Sequence, residues 1–150
     1  MNTDTLTQLN NELAELRKFV VLLTSEQQLL LDNDTESLLT LSEAKTTAAT
    51  HLIEIGNSRR KTLLSGSIHS MEVWLSKHAP NSGSLWSEIR KLAEQAQNLN
   101  STNGELIQTR MRHNQQALGV LYNSTKSAAG LYGPDGQANI NNSGRHLGSG

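Results

Sequence analysis

Apolar residues recur along the first part of the chain in alternating steps of three and four. They are Leu6, Leu9, Leu13, Leu16, Val20, Leu23 and Leu30. This heptad spacing is typical of an amphipathic helix that packs through one stripe. Additional apolar residues widen the stripe beyond a two-stranded seam, namely Phe19, Val21, Leu22, Leu29 and Leu31. The pattern predicts a long helix from Thr3 to Leu31 that buries a broad face in a bundle.

A short polar segment, Asp32-Asn33-Asp34, interrupts this pattern, and Asn33 or Asp34 is suited to cap a second helix. Because the connection is short, the second helix is predicted to run antiparallel to the first. Its seam consists of Leu38, Leu41, Lys45, Ala48, Leu52, Ile55 and Arg59. The cluster Arg59-Arg60-Lys61 has two interpretations, a solvated helix end favoured by the helix dipole or a contact for an anionic partner.

The middle of the chain predicts one short amphipathic helix between Ile68 and His78, ended by Pro80-Asn81-Ser82-Gly83. Ser84 is suited to cap a last long helix, predicted to run to about Ser124. Its seam consists of Leu85, Ile89, Leu92, Ala96, Leu99, Asn103, Leu106, Arg110, Asn114, Ala117 and Leu121. The predicted fold class is all-α, an elongated antiparallel helical bundle or coiled coil of three long helices plus one short helix.

Asn103-Gly104 is a turn signal in the middle of this last helix, and Thr102 to Glu105 fits a capping box. The steps of three and four nevertheless pass through Gly104 without a change of phase. We therefore predict one continuous helix. Glycine there costs about 1 kcal/mol relative to alanine and permits the close approach of another backbone.

Polar residues are concentrated on the seam of the last helix, where a heptad pattern favours Leu or Val. They are Asn100, Asn103, Gln108, Arg110, His113 and Asn114. Buried polar groups at such positions set register and orientation at a cost in stability. The alternative is a groove kept partly open for a partner helix.

The end of the chain changes in composition from Ala128 onward, where Gly, Asn and Ser dominate. We predict a helical domain over residues 1–126 and a disordered, flexible tail over residues 127–150. Tyr122 and the tail pair Leu131-Tyr132 are either packed side chains or anchors for a protein partner.

Composition supports a single helical domain. The chain has 150 residues, of which 35% are hydrophobic and 3% aromatic, with Leu and Ala prominent. Thirteen basic and 14 acidic residues provide no broad positive field, so a nucleic-acid partner is not expected. There is no cysteine for disulfides. No secretory signal or membrane-spanning apolar run is evident, which predicts a cytoplasmic protein that is not embedded in a membrane.

Catalytic chemistry has no recognisable pattern in this sequence. The five histidines are scattered without metal-ligand spacing, and no glycine-rich phosphate loop or nucleophile motif occurs. We therefore predict no enzymatic activity, no metal and no cofactor.

Two segments carry a resemblance to a known family. The segment EIRKLAEQAQNLNSTNGELIQTRMRHNQQALGVLY and the later LYGPDGQ, together with the Leu-rich first helices, resemble the FlgN family of flagellar export chaperones. The most specific piece, N-x-x-N-G-x-L-I-x-x-R followed by N-x-x-x-L-x-x-L, is carried by Asn100, Asn103, Gly104, Leu106, Ile107, Arg110, Asn114, Leu118 and Leu121. The resemblance covers nearly the whole chain and is weakest over residues 66–83.

The resemblance implies a cytoplasmic chaperone that holds hook-associated proteins unassembled and escorts them to the cytosolic domain of the membrane export gate. It implies a partner-binding surface in the C-terminal amphipathic region. The expected residues are Asn100, Asn103, Gly104, Ile107, Arg110, Asn114, Leu118, Leu121, Tyr122, Leu131 and Tyr132. The alternatives are a self-associating structural coiled-coil protein and a regulatory adaptor, and a weak homodimer remains an open option.

Overall fold

Helices account for the regular structure of this protein. The structure, a computed structural model, describes residues 2–68 and 70–131, with side-chain exposure over residues 4–68 and 70–124. The helices are α1 Asn2–Leu31, α2 Thr35–Ser65, α3 Met71–His78 and α4 Gly83–Leu131, with a short 3-10 helix Pro80–Ser82 before α4. The predicted all-α class, with three long helices and one short helix, is confirmed. None of the helices in the described ranges is both long and apolar enough to span a bilayer.

The chain divides into two compact units, Met1–Gly104 and Glu105–Gly150. The hydrophobic core lies in the first unit. Its buried members are Leu9, Leu13, Leu16, Leu63, Met71, Trp74, Leu75 and Ile89. The predicted seam of α1 is confirmed for five leucines, which are buried: Leu9, Leu13, Leu16, Leu23 and Leu30. The predicted widening is wrong for Val21 and Leu31, which are exposed.

The turn between α1 and α2 is a Schellman motif. The N–H of Asp34 donates to the carbonyl of Leu29 at 3.0 Å, and the N–H of Asn33 donates to that of Leu30 at 3.4 Å. Asn33 takes a φ of 59°, a left-handed conformation that asparagine tolerates better than most residues. Asp34 then caps α2 by accepting from the backbone N–H of Ser37 at 3.1 Å, as the sequence predicts for this segment.

The C-terminal end of α2 forms a second Schellman motif. Ile68 N–H donates to Leu63 carbonyl at 2.9 Å, and Ser67 N–H donates to Leu64 carbonyl at 3.0 Å. The left-handed residue of this motif is Ser67, with a φ of 58°, whereas the neighbouring Gly66 has an ordinary φ of −88°. Ile68 then packs against the core.

Helix α2 runs antiparallel to α1. Arg59 pairs with Glu12, and Lys45, which lies earlier in α2, pairs with Glu26, which lies later in α1. All seven predicted seam residues of α2 are half-buried. The buried residues of this helix are Gly56 and Leu63, so α2 is the more exposed member of the pair.

The short helix α3 begins at Met71, later than the predicted start at Ile68. Ser70 caps it by accepting from the backbone N–H of Val73 at 3.2 Å, a bond that fixes the start one residue after the serine. Met71, Trp74 and Leu75 are all buried. The amphipathic pattern therefore identified the packing residues of α3 although it placed the helix start too early.

Helix α4 is continuous through Gly104, as predicted. It begins at Gly83, one residue before the expected cap Ser84, directly after the 3-10 helix. It ends at Leu131, about two turns beyond the expected end at Ser124. Ala128 and Ala129 favour helix, and the Gly, Asn and Ser content of the following segment obscured this preference. The predicted tail over residues 127–150 overlaps the end of α4 as far as Leu131. Its remainder, residues 132–150, lies outside the described residues and stays a prediction.

Burial along α4 changes after Gly104. Ile89, Ala96 and Asn103 are buried, and the intervening seam residues Leu85, Leu92, Leu99 and Leu106 are half-buried. Every side chain from Met111 to Tyr122 is exposed. Of the two interpretations that the sequence leaves open for the end of this seam, bundle core and exposed partner face, the exposure of Asn114, Ala117 and Leu121 fits the exposed face.

Candidate partner-binding surface

Two polar layers cross the bundle of the first unit. In the Glu12 layer, formed by Glu12, Arg59 and Trp86, the arginine Nε and Nη2 donate to the two carboxylate oxygens at 2.9 and 3.2 Å. The same guanidinium lies over the Trp86 ring, 4.7 Å from its centroid. Only 15% of the arginine side chain and 8% of the glutamate side chain are exposed. A bidentate pair in this setting fixes geometry strongly.

The Glu26 layer consists of Glu26, Lys45 and Asn103. Lys45 Nζ donates to both Glu26 oxygens at 3.0 and 3.1 Å. Asn103 Nδ2 donates to Glu26 Oε1 and to the carbonyl oxygen of Leu23, both at 2.9 Å. Asn103 is completely buried, and its Oδ1 has no hydrogen-bond partner within the described residues. The asparagine therefore ties α4 to α1 at one point.

Each layer takes one residue from α1, one from α2 and one from α4. The two glutamates lie two heptads apart in α1, and the two cations lie two heptads apart in α2. Both pairs therefore fit the same antiparallel register. Sequence reasoning placed Lys45, Arg59 and Asn103 on seams but missed the two glutamates, for which the matched two-heptad spacing was the available signal.

Asn103 and Gly104, which are both predicted to contact a partner, have opposite environments. The Asn103 amide is used inside the bundle and is not accessible to a partner in this structure. A Cβ built on Gly104 meets nothing within 4 Å in the part of the chain that the structure describes. The described residues therefore provide no close backbone contact that would require glycine at this position, and a contact with a partner stays a prediction.

The other predicted residues before Tyr122 lie on exposed or half-buried parts of α4. Asn100 and Asn114 are exposed, and Arg110 is half-buried. Leu131 ends α4, but its side chain lies outside the described set. Tyr132 lies beyond the described residues altogether.

The second unit carries a run of exposed apolar side chains on α4. We name as the outer seam the residues that follow one another in heptad steps, Ile107, Met111, Asn114, Leu118 and Leu121. Leu118 is 65% exposed and Leu121 is 63% exposed, and Tyr122 beside them is 67% exposed. Large exposed apolar groups gathered on one helix mark an interaction surface more often than groups scattered singly.

Glu72 joins α3 to the start of α4. Its carboxylate accepts hydrogen bonds from Trp86 Nε1 at 2.9 Å, Ser70 Oγ at 3.0 Å and Arg90 Nη1 at 3.0 Å. Hydrogen bonding by its own backbone N–H, with the Trp86 and Ser70 donors and the Arg90 charge, lowers the pKa of Glu72. The arrangement is structural, because all the donors come from the bundle itself.

The side chains of the described residues show no cluster of three His, Asp or Glu groups that could hold a metal ion. The outer seam is thus the feature of these residues with the clearest capacity for interaction, and its chemistry is helix packing.

Comparison with known proteins identifies the relatives of this chain. The family described as "FlgN protein" matches residues 1–140. The protein named flagella synthesis protein FlgN from Yersinia enterocolitica is 31% identical over 134 residues, which cover 88% of this chain and 87% of the relative. The protein of the same name from the serotype O:8 / biotype 1B strain of that species shows the same identity and coverage. No solved structure matches the chain significantly.

Proposed function

Because the chain belongs to the FlgN family, we propose that it is a cytoplasmic export chaperone for hook-associated flagellar proteins. Relatives are named for flagella synthesis, and a role in flagellar assembly follows from membership of their family. In the proposed role the chain binds a hook-associated protein, prevents its premature association and escorts it to the cytosolic domain of the export gate.

The observation that supports this proposal is the exposed apolar surface on α4. Leu118, Leu121 and Tyr122 are large and more than half exposed. An amphipathic helix of a partner could cover them by helix-in-groove packing, which requires anchors at the heptad spacing that the outer seam provides. Such masking would keep an aggregation-prone helix of an unassembled flagellar protein from pairing with others.

The test measures complex formation by size-exclusion chromatography with light scattering. Wild-type chain mixed with a purified hook-associated protein is expected to give a heteromeric complex, and Leu118→Asp with Leu121→Asp is expected to abolish it. The matched control is Leu39→Asp with Leu64→Asp, which introduces the same charge at exposed leucines of α2. The control is expected to bind normally.

A complex that survives the α4 substitutions would rule out the outer seam as the binding surface. A stable homodimer that binds no hook-associated protein would instead favour the self-associating coiled-coil alternative. The proposed function fails in that second case.

A further inference from the structure

The outer seam continues the heptad steps of α4 beyond Asn103, and it shares Asn114 and Leu121 with the seam that the sequence predicts for this helix. Ile107 comes directly after the half-buried Leu106, and Met111 comes directly after the half-buried Arg110. Ile107 and Met111 are 38% and 55% exposed. The second unit therefore presents an exposed apolar stripe along α4 that the described residues leave uncovered.

Charge around the outer seam has one sign. From Leu106 to Ser124 the sequence contains no Asp or Glu, whereas Arg110, Arg112 and His113 lie within it. Arg110 immediately precedes Met111, which places it at a flanking position of the seam in heptad terms. A helix that covers this face gains from acidic flanks, which steer association and select among partners.

The same charge argues against a second copy of this chain as the occupant. Two copies packed through their outer seams would bring two acid-free, arginine-bearing segments together. Like charges in close contact disfavour such a pairing. A partner of different sequence, with acidic flanks, meets no such penalty.

Asn114 lies in the middle of the outer seam, between Met111 and Leu118. A helix that covers the seam also buries the Asn114 amide. A buried amide left without a hydrogen bond weakens binding by about tenfold to a hundredfold. A partner that presents a polar side chain at the facing position avoids this loss, and a partner with leucine there does not.

We propose that the outer seam takes an amphipathic helix with acidic flanks and one hydrogen-bonding side chain opposite Asn114, and that Asn114 excludes helices with uniformly apolar seams. This specificity rests on the proposed function, since it assumes that the seam binds a helix of a flagellar protein. Single polar residues in apolar seams select partners in this way because the wrong partner leaves them unpaired.

The test uses the full-length chain and three synthetic helical peptides of three heptads with identical apolar positions. The first has acidic flanks and a central Asn, the second acidic flanks and a central Leu, and the third basic flanks and a central Asn. Affinities are measured by fluorescence anisotropy. The first peptide is expected to bind about tenfold or more tightly than the second. The third is expected to bind more weakly than the first. This difference in affinity should become smaller at high salt, because salt screens the charges.

The Asn114→Leu variant is expected to reverse the preference between the first two peptides. The control is Gln115→Leu, an exposed neighbour outside the seam, which is expected to leave the preference unchanged. Equal affinities of the wild-type chain for the first two peptides would overturn the proposal, as would an Asn114→Leu variant with the wild-type preference. Failure of all three peptides to bind would overturn it as well.

These outcomes separate this inference from the function on which it rests. If the chain binds a hook-associated protein through Leu118 and Leu121 but the peptides are not distinguished, only the specificity of Asn114 is wrong. If no hook-associated protein binds, the proposed function is wrong whatever the peptides do.

Discussion

At the scale of single residues, two neighbours in α4 have opposite surroundings. Asn103 is completely buried and hydrogen-bonded to α1, whereas Gly104 is exposed and has open space where a side chain would stand. The pair was a turn signal in the sequence, yet both residues lie within one helix. Local preference for a turn was overridden because Asn103 forms its bonds inside the bundle.

Replacing Gly104 with Ala is expected to raise the free energy of unfolding by about 0.5–1 kcal/mol, since alanine is the better helix former and its methyl group meets no neighbour. Urea titration followed by circular dichroism measures the change. Gly119→Ala, at an equally open helical position, serves as the comparison. A loss of stability in Gly104→Ala would contradict the open environment.

Replacing Asn103 with Asp is expected to destabilise the protein by about 3–5 kcal/mol at neutral pH, because it buries a second carboxylate beside Glu26 and removes the Nδ2 donor. Burial and the neighbouring charge are expected to raise the pKa of the new carboxyl group in the folded state, so the destabilisation should shrink as the pH falls through that raised pKa. Asn100→Asp, at an exposed position three residues earlier, is the control in urea melts at several pH values. Equal losses of stability for Asn103→Asp and Asn100→Asp would contradict the burial of Asn103 in the bundle.

At the scale of elements, the buried charge pairs should contribute more than the exposed ones. Glu12→Gln leaves Arg59 without its charge partner in a largely covered site, so a loss of about 3–5 kcal/mol is expected. Glu88→Gln removes a pair with Arg17 whose side chains are 49% and 58% exposed, so a loss below about 1 kcal/mol is expected. Double-mutant cycles on the two pairs measure the difference, and similar coupling energies would disprove it.

The attachment of α3 to α4 is expected to weaken in acid. The pKa of Glu72 is lowered from its ordinary 4.5 in the folded state, so its contribution is fully present above about that pH and is lost as the pH falls through the lowered pKa. Glu72→Gln should therefore reduce stability at pH 7 and make little difference at strongly acidic pH. The urea midpoints of the wild-type and Glu72→Gln proteins across this pH range give the measurement. A difference in midpoint that persists in strong acid would contradict a stabilising role for the ionised Glu72 carboxylate.

The sequence predicted the helices themselves better than the interactions between them. The leucines of α1 repeat in one helix, so their spacing alone indicated the buried stripe. The partners of Glu12 and Glu26 depend on how α1 and α2 are aligned with each other. The residue pattern of one helix does not reveal this antiparallel register. The sequence predicted which residues of α4 form its exposed face, but it did not predict where burial along the helix ends. The heptad steps continue through Asn114 and Leu121, although the last buried residue of α4 in the described part is Asn103.

At the scale of the whole molecule, the folding of the first unit should not require the end of the chain. The buried core residues of the described part all precede Gly104, and Leu118, Leu121 and Tyr122 are exposed. Truncation after Gln116 is therefore expected to change the unfolding free energy of the bundle by no more than about 0.5 kcal/mol. Thermal and urea melts of the truncated and full chains provide the comparison. Global unfolding of the shorter chain would show that these residues belong to the core.

The half-buried seam of α2 has a consequence for hydrogen exchange. Backbone amides exchange through local or partial openings whose free energies follow how much apolar surface each segment covers. Helix α1 contributes five buried leucines, whereas the buried residues of α2 are Gly56 and Leu63, both in its second half. Deuterium should therefore enter the first half of α2 soonest among the interior segments of α1 and α2, while the amides around Leu9 to Leu16 are labelled only when the whole unit unfolds.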